Sequence, residues 1–379
     1  MVTGKSGKIL IIGAGVIGLA TAREIAKRKI AEVTVVERGQ IGREASFAAA
    51  GMLTPNLECS AEDDFYLACR DSNRMFDSLS VELLDETGVD IDLARTGALA
   101  VATNTAEAEQ AIKTVEGQIR IGVQVTFLST KDARRFEPSL SDSIVGAAFY
   151  PEDGQVDNRR LIAALFKSAK KYGVKIREKT EIASLIVEKK KIRGARARSE
   201  TIMADAVVVA AGAWTDRLLA TINIAPLGLR PIRGQILAYL DCRVLPKHVV
   251  VGRRCYAVPR VDGRLLIGAT SEDAGFCKQV LPESLNELRI AALEIFPWLE
   301  RFNLCEAVAG LRPYCAGGNP VIGEIPSVKG LFVATGHYRN GILLSPLTAA
   351  ILASEIADSS FESGRNPFRP SLTTLASAS

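Results

Sequence analysis

The chain has 379 residues, with 47 basic and 43 acidic side chains for a net charge of +4, and it is 47% hydrophobic and 24% charged. That balance belongs to a folded globular protein long enough for two domains and excludes a peptide module or a disordered chain; with no basic run or aromatic stripe, it also argues against nucleic-acid or membrane-surface partners. Seven scattered cysteines without a C-x-x-C and only two histidines, His248 and His337, exclude a disulfide framework, a zinc site and an H-E-x-x-H protease, so no metal is expected.

In chain order, the apolar run 9–22 behind Lys5 and Lys8 has the outline of a targeting signal. Gly13, Gly15 and Gly18 dilute it, and it is too short to span a membrane, which leaves the cytoplasm as the expected location. Residues 8–12 read instead as a buried strand, 17–29 as a helix and 32–37 as a second buried strand, a βαβ unit. The spacing of Phe65, Leu67, Ala68, Met75, Phe76, Leu79 and Leu83 predicts a helix over 63–86, stopped by Gly88. A strand over 97–102 and a helix over 106–119 follow. A helix over 158–172, with Asn158 as its N-cap, leads through Gly173 into a strand at 174–177. Strands at 182–187 and 192–198 precede the wholly apolar 206–211, whose pattern predicts a central parallel strand.

From 227 to 311 the texture changes to two-residue alternation, with strands at 234–240, 255–259 and 265–270 and one helix near 283–296. The α/β texture returns with a strand at 330–335 and a helix over 340–356. The expected fold is therefore α/β: a discontinuous Rossmann-like dinucleotide-binding domain (1–90, 141–226 and 320–365) and a second, antiparallel-sheet α+β domain (91–140 and 227–319). Residues 366–379 read as a Ser/Pro-rich tail.

Gly13-Ala14-Gly15-Val16-Ile17-Gly18 sits where a strand turns into a helix, and Glu37 follows 19 residues after Gly18. The first glycine permits the turn, the second lets backbone approach a pyrophosphate, and the third allows close helix packing. The helix N-terminus offers amides to the phosphates, while Glu37 accepts hydrogen bonds from a ribose. Small side chains over 45–51 would let backbone lie along a bound dinucleotide, with Ser46 offering a hydroxyl.

The chain resembles the D-amino-acid oxidase and sarcosine oxidase superfamily, and its thiamine-biosynthesis glycine oxidase branch most of all. The resemblance rests on the fingerprint above, Ala48-Ala-Ala-Gly-Met52, Ala210-Ala-Gly-Ala-Trp214, Cys255-Tyr256-Ala-Val-Pro259, Gly310-Leu-Arg-Pro313 and Gly336-His-Tyr-Arg-Asn-Gly341. It implies noncovalent FAD held by Val16, Ile17, Glu37, Arg38, Ala45, Ser46, Ala50, Gly51, Met52 and Ile182. His337, Tyr338, Arg339, Asn340, Gly341, Ile342 and Leu343 would surround the flavin ring, with helix amides after Asn340 facing it. Arg312, Arg339 and Tyr256 would line the substrate pocket, Arg312 as the carboxylate clamp, for which a planar guanidinium suits better than an ammonium.

The implied reaction is oxidative deamination of glycine, sarcosine or D-alanine by molecular oxygen in a homo-oligomer, giving the oxo acid, ammonia and peroxide, with the glycine imine available for thiazole assembly. The amine lone pair expels the α-hydrogen as hydride, so no dedicated base is expected. The alternatives are a D-amino-acid or 2-hydroxy-acid dehydrogenase passing electrons to a quinone, or a non-catalytic flavin subunit of an amine dehydrogenase complex. Two departures bear on substrate preference: Arg254 stands where the family often has histidine, and an apolar stretch, Pro313-Tyr314-Cys315, follows Arg312.

Overall fold

A computed structural model describes residues 7–240, 244–357 and 366–371. Strand β1 (Gly7–Ile12), helix α1 (Val16–Lys27) and strand β2 (Ala31–Val36) form the expected βαβ unit, with β1 and β2 parallel and Ile12 opposite Val36. Gly13 makes the turn at φ +109°, and a Cβ on Gly18 would fall 2.0 Å from the Gly13 carbonyl oxygen, so the helix can sit this close only without a side chain there.

The sheet runs Val321–Glu324, Leu331–Thr335, Ala206–Val209, β1, β2, Lys175–Arg177, and only its Val321–Glu324 edge is antiparallel. The apolar strand at 206–209 is central, as its pattern predicts. One face packs against α1, α2 (Asp64–Thr87), Asn158–Lys171 and Ser345–Ile356. On the other, Leu10, Ile12 and Val36 meet Ile182, Leu185, Ile192 and Ala195 of a three-stranded antiparallel sheet. Helix α2 opens at Asp63, whose carboxylate accepts from the Tyr66 N–H at 2.8 Å, and closes at left-handed Gly88 (φ +69°).

The second sheet has nine strands. Leu304–Cys315, Leu229–Tyr239, Leu265–Gly268 and Tyr256–Pro259 lie side by side and antiparallel, and Val249–Val251 joins them to Ala98–Ala102 through a parallel pairing. Its core includes Leu237, Tyr239, Leu265 and Ile267, covered by the helix Pro282–Ile295.

Four features depart from the sequence expectations. Gly146–Tyr150 pairs with Ala98–Ala102 in the second sheet, so the chain returns to the first layer only after residue 150 and not at 141. Asp157, not Asn158, caps its helix, accepting from the Arg159 and Arg160 N–H groups at 2.8 and 3.0 Å. The last helix begins at Ser345 instead of 340, because Tyr338 adopts φ +48° and Pro346, which has no N–H to give, sits in the first helical turn. Residues 366–371 are not a free fringe: Phe368 is buried and its carbonyl accepts from the Ile322 N–H at 2.8 Å. Residues 1–6 with Lys5, Cys242, and the tail beyond 371 lie outside the described residues.

Candidate active site

A cavity of about 530 Å³ runs between the two sheets. At one end lie the α1 N-terminus and Glu37. Two backbone amides hold that carboxylate, Ala14 N–H on Oε2 and Gly39 N–H on Oε1, each at 2.9 Å. Ser46 Oγ accepts from the Val16 N–H at 3.0 Å, so the loop hydroxyl caps the helix that carries the fingerprint. Gly13, Gly15, Val16, Ile17, Glu37, Arg38, Ala45, Ser46, Ala50, Gly51, Met52 and Ile182 all line the cavity. Gly18 does not line it; its place is the close helix contact.

The segment 45–52 is pinned from behind by two side chains. Asn158 Nδ2 donates to the carbonyls of Ser46 and Phe47 at 2.8 and 3.1 Å. Arg260, buried, donates to the Ala50 carbonyl at 2.7 Å and to the Val156 carbonyl at 2.9 Å. Burial pulls its guanidinium down to about 10, opposed by the Asp157 carboxylate 3.8 Å away, so it is still cationic at neutral pH. The sequence marks Asn158 only as a helix cap and does not mark Arg260, because the carbonyls they hold lie more than a hundred residues away.

At the other end, Arg312 and Tyr256 come from strands separated by the two central ones, Leu229–Tyr239 and Leu265–Gly268. Both side chains reach inward over glycine. A Cβ on Gly234 would fall 2.2 Å from Arg312 Nη2, and one on Gly268 would fall 2.4 Å from the Tyr256 hydroxyl. These two glycines clear the floor on which guanidinium and phenol meet. Arg312 Nη1 donates to the Thr270 carbonyl at 3.0 Å. Burial pushes the Tyr256 phenol above its ordinary value, against the charge of Arg312 and a hydrogen bond to it, so the hydroxyl stays protonated and able to donate.

His337, Tyr338, Arg339, Asn340, Gly341 and Ile342 line the cavity between the two ends. Leu343 lies in the core behind them, its carbonyl taken by Ser72 Oγ at 2.6 Å. His337 is buried against Thr348 Oγ1 at 3.0 Å, and burial lowers it to about 3, which keeps the ring neutral. Arg254 also lines the cavity, and its half-exposed guanidinium pairs with Glu294, which offsets its charge. Cys315 is outside the lining, buried with its thiol on the Leu227 carbonyl. Acids missed by the sequence reading include Glu58, which lines the cavity with Arg312, Arg339 and Asn340.

The glycine cradle, the N-terminus of α1, the Glu37 carboxylate and a long cavity lined by backbone fit an adenine dinucleotide. Fold and site together define a two-domain, dinucleotide-dependent oxidoreductase. Residues 8–355 match the family of FAD-dependent oxidoreductases typified by D-amino-acid oxidase, and the chain belongs to that family. It is 36% identical over 347 residues to the glycine oxidase of Geobacillus kaustophilus, covering 91% of each chain. It is 34% identical over 355 residues to the bifunctional protein ThiO/ThiG of Nostoc sp. PCC 7120, spanning 92% of this chain and 52% of that one. The crystal structure of glycine oxidase from Geobacillus kaustophilus superimposes with a TM-score of 0.91 at 34% identity, covering 97% of this chain and 99% of the other. Among the described residues no helix is long and apolar enough to cross a membrane, and no cluster of three metal-ligating side chains occurs.

Proposed function

We propose that the protein oxidises glycine and other small amino acids, sarcosine and D-alanine among them, to the oxo acid, ammonia and hydrogen peroxide. The observation that carries this reading is the meeting of Arg312 and Tyr256 over Gly234 and Gly268, a built recognition point for one carboxylate at the end of a dinucleotide cavity. A guanidinium offers a carboxylate two parallel N–H bonds, and the protonated phenol adds a third. Arg339, whose charge also acts on Tyr256, adds a second cation to the lining.

In this reading Glu37 takes the ribose hydroxyls, the α1 amides take the pyrophosphate, and the segment 45–52 with Arg38 and Ile182 lies along the rest of the cofactor. The turn from His337 to Ile342 faces the ring, with Leu343 supporting it from the core. Bound FAD supplies the two-electron acceptor and the subsequent reaction with oxygen. The chain's own part is orientation: the carboxylate fixed at Arg312 and Tyr256 sets the Cα–H direction, and the walls around it exclude water from the amine. The buried, turned-away Cys315 supports noncovalent attachment.

Similarity to a protein named ThiO/ThiG supports a supply of glycine imine to thiazole assembly in thiamine biosynthesis. A cytoplasmic homo-oligomer is the accompanying expectation, the cytoplasm supported by six described cysteines that are all unpaired. The test is a panel of glycine, sarcosine, D-alanine and 2-hydroxy acids assayed under air for peroxide. Peroxide with glycine is expected, and acid precipitation should release intact FAD. Turnover only with a quinone, or none with any amino acid, would refute the oxidase reading.

A further inference from the structure

Four acids line the cavity, and three are engaged elsewhere. Glu37 holds two amides, Glu44 pairs with Arg38 and Lys278 at 2.9 and 2.8 Å, and Glu181 pairs with Arg198 at 2.8 Å. Glu58 forms no salt bridge among the described residues. It is solvent-accessible and lines the cavity, where Arg339, Asn340 and Arg312 are the groups that act on its carboxylate.

The loop that presents it is built with unusual care. Asp153, fully buried, accepts from the Asn56 N–H at 3.2 Å, Asn56 Nδ2 at 2.8 Å and the Leu57 N–H at 2.9 Å. Tyr66 donates to Asn56 Oδ1 at 2.9 Å. Gln118, itself held by the Tyr150 hydroxyl at 2.9 Å, donates to the carbonyls of Asn56 and Cys59 at 3.1 and 2.9 Å. Buried polar networks of this kind rigidify what they hold, and the side chain held toward the cavity is an acid. Burial raises the Glu58 carboxyl above its ordinary value, opposed by the Arg339 charge, a hydrogen bond with Asn340 and the Arg312 charge.

An amino acid in neutral solution is a zwitterion. Arg312 and Tyr256 answer its carboxylate, whereas its ammonium needs an anion and must lose a proton before the nitrogen lone pair can assist hydride loss. We propose that Glu58 is the catalytic group that receives the substrate ammonium and takes one proton from it. This rests on the oxidase reading above. The N–H bond breaks with its electron pair left on nitrogen, Glu58 becomes the neutral acid, and the charge of the site is unchanged. The α-hydrogen then leaves with two electrons to the bound FAD, giving the iminium. Loss of its N–H proton to water gives the imine, which hydrolyses to oxo acid and ammonia, and Glu58 returns its proton to that ammonia. A raised carboxyl value narrows the gap to the ammonium and makes the transfer easier.

The test is kcat/KM for glycine against pH, followed by oxygen consumption with the holoenzyme, for wild type, Glu58→Gln and Glu58→Asp. Wild type is expected to be flat through neutral pH. Glu58→Gln should lose about 10²-fold at pH 7 or more, rise tenfold per pH unit, and converge on wild type near the solution pKa of the amine. Acetate, which has a carboxylate and no amine, should bind the glutamine variant no more weakly than wild type, read from the visible flavin spectrum. If Glu58→Gln does not retain FAD, Glu58→Asp carries the same test, with a deficit at neutral pH that closes as pH rises. A variant profile parallel to wild type at every pH, or acetate binding lost together with turnover, overturns the assignment of Glu58. Wild type that oxidises no amino acid overturns the oxidase reading instead.

Discussion

Arg312 offers the sharpest test of the carboxylate site, because structure separates its charge from its position. Arg312→Ala removes the bidentate partner of a buried carboxylate, a loss of about 2 to 5 kcal/mol by analogy with truncated buried charge pairs. At about 1.36 kcal/mol per decade, kcat/KM for glycine should fall roughly 30- to 5,000-fold. Gly234→Ala leaves the charge in place but sets a Cβ 2.2 Å from Nη2. The strand backbone tolerates alanine, so the flexible guanidinium must give way, and a displacement on the order of 1 Å costs about 10²-fold. The assay is oxygen consumption with glycine and with ethylamine, an uncharged-tail amine of similar size, for both variants and wild type. Both variants should lose far more on glycine than on ethylamine while keeping the flavin spectrum. An equal loss on the two amines would refute the clamp and mean that Arg312 shapes the flavin pocket or the fold.

Glu37→Ala removes a ribose acceptor and the partner of the Ala14 and Gly39 amides, and charge-assisted hydrogen bonds of about 1.5 to 3 kcal/mol predict a roughly 10- to 150-fold weaker FAD affinity by fluorescence titration. Unchanged affinity would count against the placement of the ribose there. Arg260→Met strips the Ala50 and Val156 carbonyls of their donor and leaves Asp157 with Arg264 as its cation, so urea midpoints should report a loss of roughly 2 to 6 kcal/mol from the two unsatisfied acceptors, together with FAD release at lower denaturant than wild type. A stable variant with normal flavin retention would show that the cradle does not depend on it. His337 stays neutral in the folded chain down to about 3, while in the unfolded chain it binds a proton near 6.5. The unfolded state therefore holds more protons in that window, and stability present above pH 6.5 drains away as pH falls, at up to about 1.4 kcal/mol per unit. His337→Gln should flatten the dependence between pH 6.5 and 5, measured as denaturation midpoints, and identical slopes would exclude this origin.

The βαβ unit, the glycine fingerprint and Glu37 are legible in the sequence because every signal involved is local. Apolar runs, a turn and a capping geometry are written within some 30 residues, and hydrogen bonds to near neighbours enforce them. The change of texture after 227 is legible for the same reason. The boundary at 141 misleads because strand pairing decides it: Gly146–Tyr150 pairs with Ala98–Ala102 of the second sheet, a partner far back in the chain. Asn158 reads as a cap by its type, yet Asp157 takes the amides, and Asn158 is left free to hold the 46–47 carbonyls. The candidate substrate site is decided almost wholly by tertiary structure. Arg312 meets Tyr256 only because the register of four strands sets Gly234 opposite Gly310 and Gly268 opposite Tyr256, and nothing about a glycine in a strand announces whose side chain it makes room for. Glu58 is silent in the sequence for a related reason: its environment is assembled from residues 153, 118, 150 and 339, and a carboxyl group takes its chemistry from what surrounds it more than from what precedes it in the chain.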